Sequence, residues 1–275
     1  MSAMNVQTPI RLAINGAAGR MGRRLIALAC EDPQLTVTAA VEGPASSDLG
    51  KDAGAIAGVQ TLGVPITDHL PAGTGAAVMI DFTVPAATRA AIAACIQANL
   101  PLVIGTTGLT ADDQQRIDQA ARSIPILQAP NMSLGVNLLF ALAAQVAKRL
   151  GDDYDIEITE AHHRFKKDAP SGTALGIAKA ICDATGKSLD KDLVHGRHGD
   201  DAPRQRGQIG MHALRMGDVV GEHTASFATL GERLELRHVA TTRDVFARGA
   251  LRAAQWLAAP GRTPGRYTMA HVLGL

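Results

Sequence analysis

Ile10-Arg11-Leu12-Ala13-Ile14-Asn15-Gly16-Ala17-Ala18-Gly19-Arg20-Met21-Gly22 is the stretch on which the fold of this chain turns. A short apolar strand, Ile10 to Ile14, runs into three glycines spaced by three, and Met21 to Glu31 continues in helical rhythm. The pattern predicts a strand, a tight turn and a helix. In that setting Gly16 allows the sharp turn, Gly19 lets backbone N–H groups approach a pyrophosphate, and Gly22 lets helix and strand pack closely. The helix N-terminus adds a partial positive charge. The G-x-x-G-x-x-G spacing differs from the commoner G-x-G-x-x-G, and an ordinary glycine-containing turn has the same outline. Glu42 follows Gly22 by 20 residues at the end of the next apolar run, where an acid accepts from ribose hydroxyls; a solvated loop carboxylate is the plainer alternative. Gly43 comes next, so no arginine waits there for a 2′-phosphate and only Arg20 is close in sequence. NADH is therefore expected to serve at least as well as NADPH.

Outward from this turn, apolar runs at Leu35–Val41, Val78–Phe82, Leu102–Ile104 and Ile124–Leu127 read as further strands. Helical stretches at Ala86–Asn99 and Thr110–Arg122 separate the later ones, an arrangement that calls for a parallel sheet covered on both faces. Gly105-Thr106-Thr107-Gly108 and Ala129-Pro130-Asn131-Met132 follow two of these strands at the edge where ligands bind in such sheets. Their small residues and amides can line a nicotinamide and its ribose, although each alone also reads as a turn with a helix cap. Ser133 to Leu150 then forms one long amphipathic helix, with Ser133 as N-cap and Gly151 as stop. Beyond it Ile156 and Ile158 alternate with polar residues, as do Val219–Leu230 and Arg233–Val239, around a helix at Thr173–Ala184. That alternation predicts an open, mixed or antiparallel sheet with one face on the helix. A last helix, Asp244 to Ala258, offers Val245, Phe246, Leu251 and Trp256 to the first domain. The expected division is 1–131, completed by 241–275, and 132–240, with Ser46–Gly63 and Ala184–Arg206 as loops.

Composition excludes several classes. The 275 residues are 46% hydrophobic and 19% charged, typical of a folded globular chain. A formal net charge of +1 provides no field to gather nucleic acid or an anionic membrane, and 3% aromatic residues are too few for base-stacking platforms. The longest apolar run, Leu138–Ala147, is broken by Gln145 and falls short of the ~20 residues of a membrane span. The opening MSAMNVQTPIRLAI shows no basic segment followed by an apolar one, so no signal peptide is expected. Cys30, Cys95 and Cys182 are odd in number and widely spaced, which predicts buried thiols in a reducing cytoplasm.

The chemistry is concentrated in Glu160-Ala161-His162-His163-Arg164-Phe165-Lys166-Lys167-Asp168-Ala169-Pro170-Ser171-Gly172-Thr173-Ala174. Ser171 is placed to cap the following helix, and the Gly172 and Thr173 amides at its start suit a carboxylate. Lys166 adds a full positive charge, and two histidines supply proton-transfer groups. No metal is expected, because adjacent histidines on a strand point apart and no acid accompanies them at helical spacing.

With this segment on view, the sequence resembles the 4-hydroxy-tetrahydrodipicolinate reductase (dihydrodipicolinate reductase) family of diaminopimelate and lysine biosynthesis. The resemblance runs through Gly16–Gly22, Asp81-Phe82-Thr83, Gly105–Gly108, Ala129–Asn137, His162–Ala174 and Arg237-His238-Val239-Ala240. It implies a Rossmann-type doubly wound parallel sheet, a second α+β domain on a mixed open sheet that binds substrate, and a homotetramer formed through that second sheet. It implies His162 as the acid/base residue and Lys166 as the catalytic lysine, with His163, Gly172 and Thr173 on the substrate carboxylates. Gly16, Ala17, Ala18, Gly19, Arg20 and Met21 match the pyrophosphate loop, Glu42 the ribose acid, and Gly105, Thr106, Thr107, Ala129, Pro130, Asn131 and Met132 the nicotinamide end. Gly43 departs from members that carry arginine there.

The implied reaction adds hydride to C4 of an unsaturated cyclic dicarboxylate and a proton, from His162 or Lys166, to C3. Two other readings keep the glycine turn: another nicotinamide-dependent dehydrogenase of small carboxylates, or a redox sensor that binds dinucleotide without turnover. The basic loop with His195, Arg197, His198 and Arg204 receives no role.

Overall fold

Short continuous apolar runs build one parallel sheet. The computed structural model describes residues 8–275; the first seven, on which the reading of the N-terminus as leaderless partly rests, lie outside the described residues. The elements run β1 (Ile10–Asn15), α1 (Arg20–Glu31), β2 (Leu35–Val41), α2 (Ala53–Ala57), β3 (Ile66–Thr67), β4 (Val78–Asp81), α3 (Pro85–Ala98), β5 (Leu102–Ile104), α4 (Ala111–Ala120) and β6 (Pro125–Gln128). There follow α5 (Leu134–Leu150), β7 (Asp155–His162), α6 (Gly172–Thr185), α7 (Leu189–Asp192), β8 (Leu193–His195), β9 (Ile209–Arg215), β10 (Gly221–Thr229), β11 (Glu232–Ala240), α8 (Asp244–Leu257), β12 (Gly265–Tyr267) and α9 (Met269–Leu273).

The described residues form two compact units, one reaching Ser133 and resuming at Asp244–Gly274, the other spanning Leu134–Arg243 with Leu275. In the first, seven strands lie in the order β12-β6-β5-β4-β1-β2-β3, every pair parallel. All four residues of β4 and all three of β5 are buried, as strands covered on both faces must be. Ala13, Met79, Ile92, Leu102, Ile104, Ile117 and Ile126 share one core, and α8 buries Ala247, Ala250, Leu251, Ala253, Ala254 and Leu257. The helix ends follow local chemistry. Pro85 begins α3, Asn99 ends it at φ 48°, and Thr110 and Asp113 form a reciprocal capping box on α4.

In the second unit five strands lie in the order β11-β10-β7-β9-β8, antiparallel from β11 to β7 and parallel from β7 to β8. Burial alternates along β10, and the inner face packs Ile156, Ile158, Ile209, Met211, Ala225 and Phe227 against α5 and α6. The open mixed sheet expected from alternation is what forms.

Three readings are corrected. The stretches taken as loops contain α2 within 46–63, and α7 and β8 within 184–206. Elements of three to five residues complete too little of a period to show in sequence. The three thiols are not all buried: Cys95 and Cys182 are, but Cys30 lies in the last turn of α1, where it and Glu31 are exposed. Among the described residues no helix is long and apolar enough to cross a membrane.

Candidate active site

The order of the seven-stranded sheet reverses direction between β1 and β4, and the carboxyl ends of strands flanking such a reversal form a crevice. The loops that leave β1, β2, β5 and β6 carry the expected dinucleotide residues. Gly16 stands at φ +79°, and a Cβ there would lie 2.7 Å from Thr83 Cγ2. A Cβ on Gly22 would lie 2.1 Å from the Gly16 carbonyl oxygen, so this glycine is required for α1 to start against the turn. Gly19 caps α1 without a side chain, leaving the helix start uncapped by any side-chain bond. The Ala18 N–H donates to Glu42 Oε2 at 2.9 Å and the Gly43 N–H to Oε1 at 2.9 Å, which fixes Glu42 beside the turn. A Cβ at Gly43 would meet nothing within 4 Å. This cradle of glycines, an uncapped helix start and a fixed acid fits a dinucleotide.

Asp81 ties the strand ends together. It is fully buried, accepts from Asn15 Nδ2 (2.8 Å) and the Thr83 hydroxyl (2.7 Å) on one oxygen, and from the Thr88 (2.6 Å) and Thr106 (3.0 Å) hydroxyls on the other. Four donors satisfy a buried carboxylate that has no ion-pair partner among the described residues. Thr106 also accepts the Thr83 N–H at 2.9 Å, so its hydroxyl is committed to holding β4 and β5 in line. Gly105 is needed because a Cβ would lie 2.3 Å from the Phe82 ring. Thr107 and Pro130 are exposed, while Ala129 and Met132 are buried. The Asn131 side chain accepts the Ser133 N–H at 2.9 Å, shaping the turn before α5, which begins at Leu134, the residue after Ser133.

The second cluster belongs to the other unit and grows from strand alternation. Ile156, Ile158, Glu160 and His162 share one face of β7, so the last two continue the core face toward the strand end. Glu160 is fully buried. One of its oxygens accepts from the Ser171 N–H (2.9 Å) and Arg215 Nη2 (2.8 Å), the other from His162 Nδ1 (2.6 Å) and Arg215 Nη1 (2.8 Å). Burial pushes its carboxyl upward, but the bonds from Arg215, His162 and Ser171 outweigh that and leave it below the usual range. Burial drives the His162 imidazole below its ordinary value, Glu160 opposes this in part, and Lys166 and Arg215 add to the depression.

Around this core, Ser171 caps α6 by accepting the Ala174 N–H at 3.1 Å, with the exposed Gly172 and the half-buried Thr173 beginning the helix. Lys166 Nζ is held by Asp168 at 2.8 Å, and Arg215 donates to the Asp168 carbonyl at 2.6 Å. His163 Nε2 lies 3.5 Å from Arg243 Nη2, and its Nδ1 is buried with no hydrogen-bond partner among the described residues. His223 is buried beside His162, ring centroids 5.1 Å apart, and shares a 3.0 Å bond with the Ser171 hydroxyl. Burial, then the proximity of His162, lowers its pKa to about 4, so it is neutral near pH 7.

The residues expected to act on substrate thus gather at one end of the mixed sheet, and those expected at the dinucleotide gather at one edge of the parallel sheet. Asp81, Glu160, Arg215 and His223 received no role from sequence. Glu160 was legible, since two residues before His162 on a strand means the same face. Arg215 and His223 arrive through strand pairing, His162 opposite Arg215 and Glu160 opposite His223.

Residues 10–132 match the family model described as dihydrodipicolinate reductase, N-terminus, and residues 135–273 that described as dihydrodipicolinate reductase, C-terminus. The 4-hydroxy-tetrahydrodipicolinate reductase of Anaeromyxobacter dehalogenans is 48% identical over 266 residues, 96% of this chain and 98% of its own. That of Alkalilimnicola ehrlichii is 51% identical over 266 residues, 96% of this chain and 99% of its own. A solved dipicolinate-bound dihydrodipicolinate reductase from Paenisporosarcina sp. TG-14 shares the fold at 23% identity and a TM-score of 0.74, over 95% of this chain and 98% of that one. With both halves matched in order and relatives near half identical along almost their whole length, this chain belongs to the dihydrodipicolinate reductase family.

Proposed function

We propose that the chain reduces 4-hydroxy-tetrahydrodipicolinate, a cyclic dicarboxylate, to tetrahydrodipicolinate with loss of the 4-hydroxyl as water, in diaminopimelate and lysine biosynthesis, with the first unit binding the dinucleotide and the second the substrate. The observation that carries the reading is the convergence of His162, the Lys166 loop and the start of α6 on Glu160. It brings a proton-transfer group, a cation and helix-start amides to one place, the set a small dicarboxylate requires.

When bound, reduced nicotinamide supplies hydride. Gly16, Ala17, Ala18, Gly19, Arg20 and Met21 hold its pyrophosphate, Glu42 its ribose, and Gly105, Thr106, Thr107, Ala129, Pro130, Asn131 and Met132 its reactive end. His163, Lys166 and the Gly172 and Thr173 amides bind the carboxylates. His162 or Lys166 delivers the proton. His162 is neutral near pH 7 in the free protein, and a bound dianion favours its charged form, so substrate arms the donor. With open space at Gly43 and no arginine after Glu42, NADH serves at least as well as NADPH. No metal enters the reaction.

The outer face of the mixed sheet supports assembly into a homotetramer. Across β9, β7, β10 and β11 one register row reads Leu214, Ala161, Glu222 and Val239, and Leu214 and Val239 are about 45% exposed. A biosynthetic enzyme with this thiol content belongs in the cytoplasm.

The test is oxidation of NADH and NADPH by the purified protein, on substrate formed in situ from pyruvate and aspartate semialdehyde by the preceding synthase. Synthase-dependent oxidation is expected, with His162→Ala and Lys166→Ala each lowering kcat by ~10²–10⁴. Binding of both cofactors without oxidation would overturn the enzyme reading in favour of a sensor.

A further inference from the structure

We propose that Glu160 is the positioning residue of this site, a single buried carboxylate that sets the His162 tautomer and anchors the carboxylate-binding turn and the lysine loop to it. The inference rests on the reading of His162 as a proton donor given above. An ionised carboxylate only accepts, so His162 Nδ1, 2.6 Å away, carries its proton and Nε2 is left as the working nitrogen. That nitrogen lies against Gly221, where a Cβ would sit 3.0 Å from it, so no side chain from β10 covers it at that position. The same carboxylate takes the Ser171 N–H, the residue that caps α6 and precedes the Gly172 and Thr173 amides. Its two bonds from Arg215 reach further, because Arg215 also holds the carbonyl of Asp168, the partner of Lys166. Proton donor, anion turn and lysine are therefore indexed to one pair of oxygens.

The geometry specifies what Glu160→Gln does. A neutral amide keeps one acceptor oxygen and brings an NH2 among donors from Arg215, Ser171 and His162. The Ser171 peptide N–H cannot become an acceptor, whereas His162 can, by moving its proton from Nδ1 to Nε2. The amide NH2 therefore turns toward His162 and reverses its tautomer. The protonated ring, which needs an acceptor on Nδ1, is disfavoured. The charged and titratable groups facing His162 are Glu160 on its own strand, Arg215 on β9, His223 on β10, and Lys166 in the following loop. Only Glu160 favours the charged ring.

Two measurements test this. Nitrogen-15 spectra of the native protein, with His162 assigned by its loss in His162→Gln, are expected to show protonated Nδ1 and bare Nε2 above the ring's pKa. The opposite tautomer overturns the proposal, and no Glu160 variant need fold for that result. In turnover, Glu160→Gln is expected to lower kcat roughly a hundredfold and to move the alkaline fall of kcat to lower pH, while NADH still binds. Glu160→Asp, which keeps the charge, is expected to return that fall toward the native pH. Native kcat in Glu160→Gln, or equal losses in both variants with the fall unmoved, overturns the proposal in favour of packing alone. Failure of the underlying reading looks different: His162→Ala then keeps native kcat while the nitrogen spectra still report the Nδ1 proton.

Discussion

Replacing Gly22 with alanine puts a methyl group where α1 meets the turn after β1. Its Cβ would stand 2.1 Å from the Gly16 carbonyl oxygen, 2.8 Å from the Gly16 carbonyl carbon and 2.8 Å from Ala17 Cα, all backbone atoms that cannot rotate away. Ordinary contact begins near 3.4 Å, so the helix start must retreat by more than an ångström. That retreat pulls on the 3.0 Å bond from the Gly19 N–H to the Gly16 carbonyl and on the 2.9 Å bond from Ala18 to Glu42. Overpacking of this kind costs about 1–3 kcal/mol, only partly offset by alanine's better helix propensity. At about 2–4 °C per kcal/mol for a chain of this size, Tm falls by a few degrees. The dinucleotide suffers more. Two first-turn amides displaced from a pyrophosphate, at about 1.5–3 kcal/mol each, correspond to a roughly 10²–10⁴-fold weaker Kd. Titration of NADH followed by its fluorescence, beside a thermal melt, measures both. Gly43→Ala is the control, since nothing lies within 4 Å of a Cβ there. Unchanged Kd and Tm in Gly22→Ala would refute the reasoning that this glycine exists for close approach.

Other expectations follow from charge and surface. Asp113 is held at about 2 by the Thr110 N–H, Arg89 and the Thr110 hydroxyl, below its ordinary 3.8, so the stability it lends is full above about pH 4 and lost as pH falls through 2; Asp113→Asn should flatten that part of a Tm profile against pH. His223 has its pKa at about 4 in the folded protein against 6.5 for a free imidazole, so the unfolded chain binds a proton that the native protein refuses and stability declines from pH 6.5 toward 4. His162 and His238, also pushed down by burial, act in the same direction, and His223→Gln should reduce the decline without abolishing it. Leu214→Glu places a charge on the outer face of the mixed sheet and should shift light-scattering mass to smaller species; an undiminished assembly would exclude that face as the contact.

How much of this was legible in sequence depends on the range over which each feature is set. The strands β1, β2, β4, β5 and β6 announce themselves by short apolar runs, unbroken in β5 and interrupted at the exposed Arg11 of β1 and Thr36 of β2. The glycine turn is equally local. Strand β9 is less visible, because Gly210 interrupts Ile209 and Met211; a Cβ at Gly210 would lie 1.8 Å from a Glu157 carboxylate oxygen, so the glycine yields its space to a side chain from the neighbouring strand. In the site, the segment from Glu160 to Thr173 shows its chemistry because the residues are consecutive. Arg215 and His223 do not, since only the register of β9 and β10 on β7 carries them to Glu160. Asp81 is similar: its partners Asn15, Thr88 and Thr106 come from three different stretches of chain.

The interruption of the parallel-sheet unit by the mixed-sheet unit has a consequence for synthesis on the ribosome. Strand β6 is made early, but its neighbour β12, and the helix that buries Ala247, Ala250, Leu251, Ala253, Ala254 and Leu257, are made last. The segment from Leu134 to Arg243 therefore has all its strands available while the earlier-made domain still exposes the apolar surface that α8 will cover. The usual amino-terminal-first order of domain completion is inverted. A nascent chain in which Arg243 has cleared the ribosome but α8 has not would present an unfinished dinucleotide fold attached to a complete neighbour, and that is the species a chaperone would have to shield.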